Sequence, residues 1–139
     1  ARATDAVVAA IEGADLVVLC PSNPVVSIGT ILDIAPVREL LRDKPVVGVS
    51  PIVGGRVVRG MADKLLPAVG AEVSAAGVAG LYADFLDGWV IDTADAASAD
   101  AIRATGVDVA VTDTMMVDVD VSTRLAETAV GMLGTLQAA

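Results

Sequence analysis

Four short apolar runs punctuate the chain, each closed by a turn former or a polar residue. They are Leu16–Cys20 before Pro21, Val46–Val49 before Ser50-Pro51, Trp89–Ile91 before Asp92, and Val107–Val111 before Thr112-Asp113. Runs this short and this rich in β-branched residues read as strands buried on both faces, the pattern of a parallel sheet. The stretches between them repeat apolar residues at helical spacing. They predict helices over Asp5–Glu12 behind Thr4, Pro36–Arg42, Arg56–Val69, Ala75–Leu86, Ala94–Ala104 and Val121–Leu136. Strand and helix alternate, so right-handed crossovers are expected to build a doubly wound, mainly parallel α/β sheet with helices on both faces, a three-layer arrangement of Rossmann-like type. No repeat or linker divides the chain, and a single α/β domain over residues 1–139 is expected.

In such sheets ligands bind outside the carboxyl ends of the strands, so the loops that follow the apolar runs are candidates for a site. After the first run, Pro21 to Thr30 places Ser22, Asn23, Pro24, Ser27 and Gly29 in a loop stiffened by two prolines. Its hydroxyls, side-chain amide and backbone N–H groups suit an oxyanion. The second loop, Ser50 to Gly60, repeats the order of strand, Ser-Pro and glycine turn. Here Ser50, Pro51, Ile52, Gly54 and Gly55 lead into a predicted helix whose first turn holds Arg56 and Arg59, with Lys64 beyond. Cations in a first turn oppose the helix dipole, and an anion resting on the amides turns that penalty into attraction. The ordinary alternative is a Ser and an Asn that bond their own backbone, and arginines that are simply solvated. Asp92, Asp95 and Asp113 at the later strand ends have the chemistry to bind Mg²⁺ or a ribose hydroxyl, with helix capping the favoured reading. Tyr82, Phe85 and Trp89 are expected in the core, and Cys20 reads as a small apolar residue at a strand end.

Composition narrows the chemistry. Hydrophobic residues make up 55% of the 139, enough for a core and too many for disorder. Asp, Pro, Ser or Gly interrupts every apolar run short of a membrane span, and no basic segment precedes an apolar one, so a soluble, cytoplasmic protein is expected. A net charge of −9 argues against nucleic acid and membrane partners. With 0 histidines, Ser/His/Asp and Cys/His catalysis and a His-ligated zinc site are excluded from the residues of this chain. A lone cysteine excludes an internal disulfide.

Four segments in this order, PSNPVVSIGTIL, SPIVGGRVVRGMADKLL, SAAGVAGLYADFLDGWVIDTAD and VDVAVTDTMM, resemble the 2-phospho-L-lactate transferase family of coenzyme F-420 biosynthesis (CofD, or FbiA in actinobacteria). The resemblance implies transfer of a phospholactyl or phosphoenolpyruvyl group from a guanosine-diphosphate-linked donor to the deazaflavin Fo, releasing GMP, with Mg²⁺ as the metal. It implies that Ser22, Asn23, Ser27, Gly29, Ser50, Pro51, Gly54 and Gly55 line the substrate cleft and that Lys64 approaches the donor phosphates. Phosphoryl transfer depends on positioning and charge neutralisation more than on a protein nucleophile, so a histidine-free site is compatible with it. The family's Gly-Gly-x-Gly-Gly loop and acidic metal-binding positions have no counterpart here. The chain therefore resembles the carboxyl-terminal half of a larger transferase, a fold incomplete at its N-terminus, with the metal ligands expected outside it. A homodimer is the expected assembly. The alternative is a non-catalytic nucleotide-sugar-binding regulator of the gluconeogenesis-factor type, which Ser22-Asn23-Pro24 fits less well. A receiver domain would need a lysine after a late strand, whereas Lys44 and Lys64 are the lysines present. A dehydrogenase would need the Gly-x-Gly-x-x-Gly turn.

Overall fold

In the computed structural model, which describes residues 1–138, the valine-rich runs meet in one parallel sheet. Its strands are β1 (Val17–Leu19), β2 (Val46–Val49), β5 (Gly88–Asp92) and β6 (Asp108–Thr112); a separate hairpin of β3 (Ile52–Val53) and β4 (Arg56–Val57) follows β2. The order in space is β1-β2-β5-β6 and every neighbouring pair is parallel. Each strand thus lies beside its predecessor in the sheet, and crossovers of one hand then carry the connecting helices to one face. These are α3 (Val37–Leu41), α5 (Ala75–Leu81) and α6 (Ala99–Arg103), with α1 (Asp5–Glu12) packed beside α3. Val37, Leu41, Val78 and Ile102 join Val46, Trp89, Ile91 and Val109 in the larger core. The opposite face is covered by α7 (Val119–Ala138), whose Leu125, Ala129 and Met132 pack on Val47, Val49 and Val90. This is the expected α/β class, with helices on both faces of a parallel sheet.

Local chemistry accounts for the element ends. Thr4 caps α1 and Asp118 caps α7, its Oδ1 accepting from the Val121 N–H at 2.8 Å. Tyr82, Phe85 and Trp89 pack in the core as expected, with ring centroids 5.6 Å apart for Tyr82 and Phe85 and 6.0 Å for Tyr82 and Trp89. The Trp89 indole N–H donates to the Ala75 carbonyl at 3.0 Å, which satisfies its one polar atom in the interior. Cys20 departs from expectation and is exposed just past the edge strand β1.

The helix expected over Arg56–Val69 is the main correction. Arg56 and Val57 belong to the hairpin, and the helix, α4, covers only Ala62–Ala68. Gly54 and Gly55 have φ of 59° and 71°, the left-handed pair that a two-residue hairpin turn needs. The helix expected over Ala94–Ala104 also starts late, because Asp92 caps a 3₁₀ turn over Thr93–Ser98 before α6. Among the described residues no helix is long and apolar enough to cross a membrane.

Candidate functional site

Three loops at the carboxyl ends of β1, β2 and β6 enclose a cleft of about 550 Å³. Pro21, Ser22 and Asn23 come from the first loop, Ser50 and Pro51 from the second, and Thr114 to Val117 from the third; Val53 and Val57 of the hairpin complete a wall. The two serine-bearing turns therefore border one hollow, where parallel α/β sheets hold their ligands.

The side chains divide into groups that hold the loops and groups left for a ligand. Asn23 Oδ1 accepts from the Val25 and Val26 N–H groups at 2.9 and 3.2 Å, which leaves its NH₂ for other partners. Ser50 is buried, and its hydroxyl both donates to the Ile52 carbonyl and accepts from the Ile52 N–H at 3.1 Å. That hydroxyl locks its own turn. Ile52 is fully buried in the core and does not line the cleft. Pro24 is buried at the start of a π turn over Pro24–Gly29 that runs into α2 (Thr30–Leu32). The Ser27 N–H donates to the Asn23 carbonyl at 3.2 Å, and a Cβ on Gly29 would lie 3.0 Å from the Pro24 carbonyl oxygen. Ser27 and Gly29 shape this turn and stand outside the cleft lining.

The amides expected to cradle an anion have a different partner. Asp95 Oδ2 accepts from the Gly54 N–H at 2.8 Å and its Oδ1 from the Gly55 N–H at 3.1 Å. Gly54 and Gly55 form a hairpin tip, not a helix N-terminus, so no dipole adds to them. Arg56 on β4 and Lys64 in α4 are exposed and do not line the cleft, whereas Arg59 is the charged side chain that does.

The third wall escaped the sequence reading. Met115, Met116 and Val117 follow β6 as the serine turns follow β1 and β2, so the same positional rule covers them, but they carry no polar atom to draw notice. They are 38%, 54% and 74% exposed, an unusual display of apolar surface beside a cleft. Thr114 anchors this loop to Asp92, which is 4% exposed. Asp92 Oδ2 accepts from the Thr114 N–H at 2.9 Å and hydroxyl at 3.0 Å, and Oδ1 accepts from the Ala94 N–H at 2.9 Å. Burial pushes the Asp92 carboxyl up, but these hydrogen bonds outweigh it and hold the carboxyl below its ordinary range. The cap expected of Asp92 is present, with a cross-link added. No group of three metal-ligating side chains occurs among the described residues, and the cleft lining contains no carboxylate.

A second, more open hollow of about 710 Å³ lies at the opposite ends of the strands, beside Arg42, Lys44, Asp87 and Asp108. Its main charged groups hold the fold together: Lys44 Nζ donates to the Glu12 and Ala14 carbonyls, Asp87 Oδ2 accepts from the Val46 N–H, and Arg42 pairs with Asp84. These bonds join elements and leave the first cleft as the candidate.

A family model described as 2-phospho-L-lactate transferase CofD matches residues 1–132. The chain belongs to that family. The CofD match takes in every residue that lines the cleft. The chain is 46% identical to a phosphoenolpyruvate transferase of Streptomyces griseus, over 99% of this chain and 44% of the relative. It is 48% identical to a phosphoenolpyruvate transferase of Thermobifida fusca, over 95% of this chain and 40% of the relative. It is 44% identical to a 2-phospho-L-lactate transferase of Methanosarcina barkeri, over 94% of this chain and 42% of the relative. This CofD chain thus spans less than half the length of the curated relatives it matches.

Proposed function

We propose that this CofD chain supplies the donor cleft of a transferase of coenzyme F-420 biosynthesis. The whole protein would move a phospholactyl or phosphoenolpyruvyl group from a guanosine-diphosphate-linked donor to the deazaflavin Fo and release GMP. The observation that carries this reading is the convergence of both serine-bearing turns and Arg59 on one apolar-walled cleft at the strand ends. In the proposed step the Fo hydroxyl oxygen bonds to the phosphorus that bears the three-carbon acid. The bond from that phosphorus to the bridging oxygen breaks, the oxygen leaves with GMP, and the hydroxyl proton is released. Such a transfer asks for alignment and charge neutralisation, and it needs no covalent intermediate. Ser22 and the Asn23 NH₂ would orient the diphosphate, and Arg59 would neutralise it against the net negative field of the chain. Val53, Val57, Met115 and Met116 would exclude water, which otherwise competes with the alcohol for the phosphorus. Mg²⁺ belongs to the reading as a companion of the diphosphate. The described residues do not fit a dedicated site for it, and no step is routed through the ion.

The full-length protein mixed with Fo, the guanylylated donor and Mg²⁺ is expected to yield a phosphodiester of Fo and GMP in equal amounts. Absence of both products overturns the assignment. Calorimetry separates the regulator reading: tighter binding of uridine than of guanosine nucleotides would favour a nucleotide-sugar-binding protein.

A further inference from the structure

Two walls of the cleft are held from behind by carboxylates of one short segment, Asp92 to Asp95, which itself lines none of the cleft. Asp92 grips the third loop through the N–H and hydroxyl of Thr114, just before Met115, Met116 and Val117. Asp95 grips the tip of the β3–β4 hairpin through the two N–H groups of Gly54 and Gly55. The hairpin also rests on this segment, since a Cβ at Gly54 would stand 3.7 Å from Ala94 Cβ. All four carboxylate oxygens of Asp92 and Asp95 thus accept hydrogen bonds from protein donors, which ties both side chains to these walls.

We infer that Asp92 and Asp95 are positioning residues that jointly set the separation between the methionine loop and the hairpin, and with it the affinity of the cleft for a nucleoside diphosphate. The ligand class rests on the reading proposed above; the tethers rest on the geometry. Hydrogen bonds to a carboxylate are stronger than neutral ones, so losing a pair at an exposed hinge loosens the wall without unfolding the sheet. A looser wall lowers ground-state and transition-state binding alike, so KM rises and kcat holds.

The test uses the full-length protein, with GDP as the calorimetric probe and the guanylylated donor in steady-state assays. Asp95→Ala is expected to raise the GDP Kd and the donor KM about five- to tenfold, with kcat within about twofold, from loss of two charge-assisted hydrogen bonds. Asp95→Asn keeps one acceptor oxygen and should fall between wild type and Asp95→Ala. Because Asp92 is buried and its variants risk misfolding, Thr114→Val probes the other tether: it keeps the backbone bond and should raise KM about twofold. Hydrogen exchange should quicken over residues 53–58 in Asp95→Ala and over 115–117 in Thr114→Val. Unchanged exchange in these segments, or quickened exchange with Kd and KM unmoved, overturns the inference. A wild-type protein that neither binds GDP nor turns over the donor overturns the ligand reading instead, and the exchange rates still decide the tethers.

Discussion

Trp89 and Gly48 show how one side chain dictates another. The indole crosses Gly48 of the neighbouring strand so closely that a Cβ built there falls 2.8 Å from ring atom Cε3. Gly48→Ala should therefore destabilise the fold by about 2–3 kcal/mol, because the ring must leave its rotamer or the strands must part; urea denaturation monitored by Trp89 fluorescence measures it. Arg59 poses a question of ligand affinity. It lines the cleft, whereas Arg56 and Lys64 do not. In the full-length protein Arg59→Ala is expected to weaken donor binding about tenfold, the scale of one charge-assisted hydrogen bond. Arg56→Ala and Lys64→Ala should stay within about twofold on the same ground. An equal loss in Lys64→Ala would return that residue to the phosphate role that the family resemblance implies.

Between elements, the clearest polar join links α3 to the turn after α5. Arg38 Nη2 lies 2.5 Å from Asp84 Oδ1 and Arg42 Nη2 lies 2.8 Å from Oδ2, while Arg38 also covers the Phe85 ring at 5.2 Å. The Arg38 hydrogen bond, with help from Arg42, holds the Asp84 carboxyl at about 2, below its ordinary 3.8. A folded-state value below the unfolded one means the join stabilises fully above about pH 4 and is lost as the pH falls toward 2. The three side chains are 33–50% exposed, so solvent limits the contribution to about 1 kcal/mol or less. Asp84→Asn should show a shallower acid limb in unfolding free energy measured between pH 2.5 and 7; an unchanged limb would remove Asp84 from the acid response. At this scale the strands were the most readable part, because valine-rich runs bounded by turn formers have few other uses. The hairpin is hidden in the sequence because Val57, Val58, Met61 and Leu65 fit helical spacing, although Gly54-Gly55 between apolar pairs is itself a hairpin signal. The serine turns are legible as cleft-forming from their place after apolar strands, although only β2 is buried on both faces and the edge strand β1 leaves Val18 exposed. The grip of Asp95 on Gly54 is not legible, since it depends on two segments some forty positions apart meeting in space.

Over the chain as a whole, the net charge of −9 opposes an anionic ligand, and Arg59 sets a local positive charge against that field at the cleft. The two contributions respond oppositely to salt: screening relieves the general repulsion and weakens the local attraction. Donor affinity of the wild-type protein should fall as ionic strength rises from about 0.02 to 0.2 M, while the residual affinity of Arg59→Ala should rise. Parallel titrations of both proteins check this, and equal slopes would deny Arg59 its share.

The placement of α7 bears on how the chain leaves the ribosome. Val47, Val49 and Val90 are covered by a helix that is synthesised after every strand it shields. A nascent chain therefore passes through an interval in which the sheet can pair but one valine-lined side stays wet and adhesive. A fragment halted at Asp118 should bind a hydrophobic dye and sediment, and adding residues 119–138 in trans should reduce both; a fragment that stays clear and dye-free would show that the sheet can wait for its cover without a chaperone.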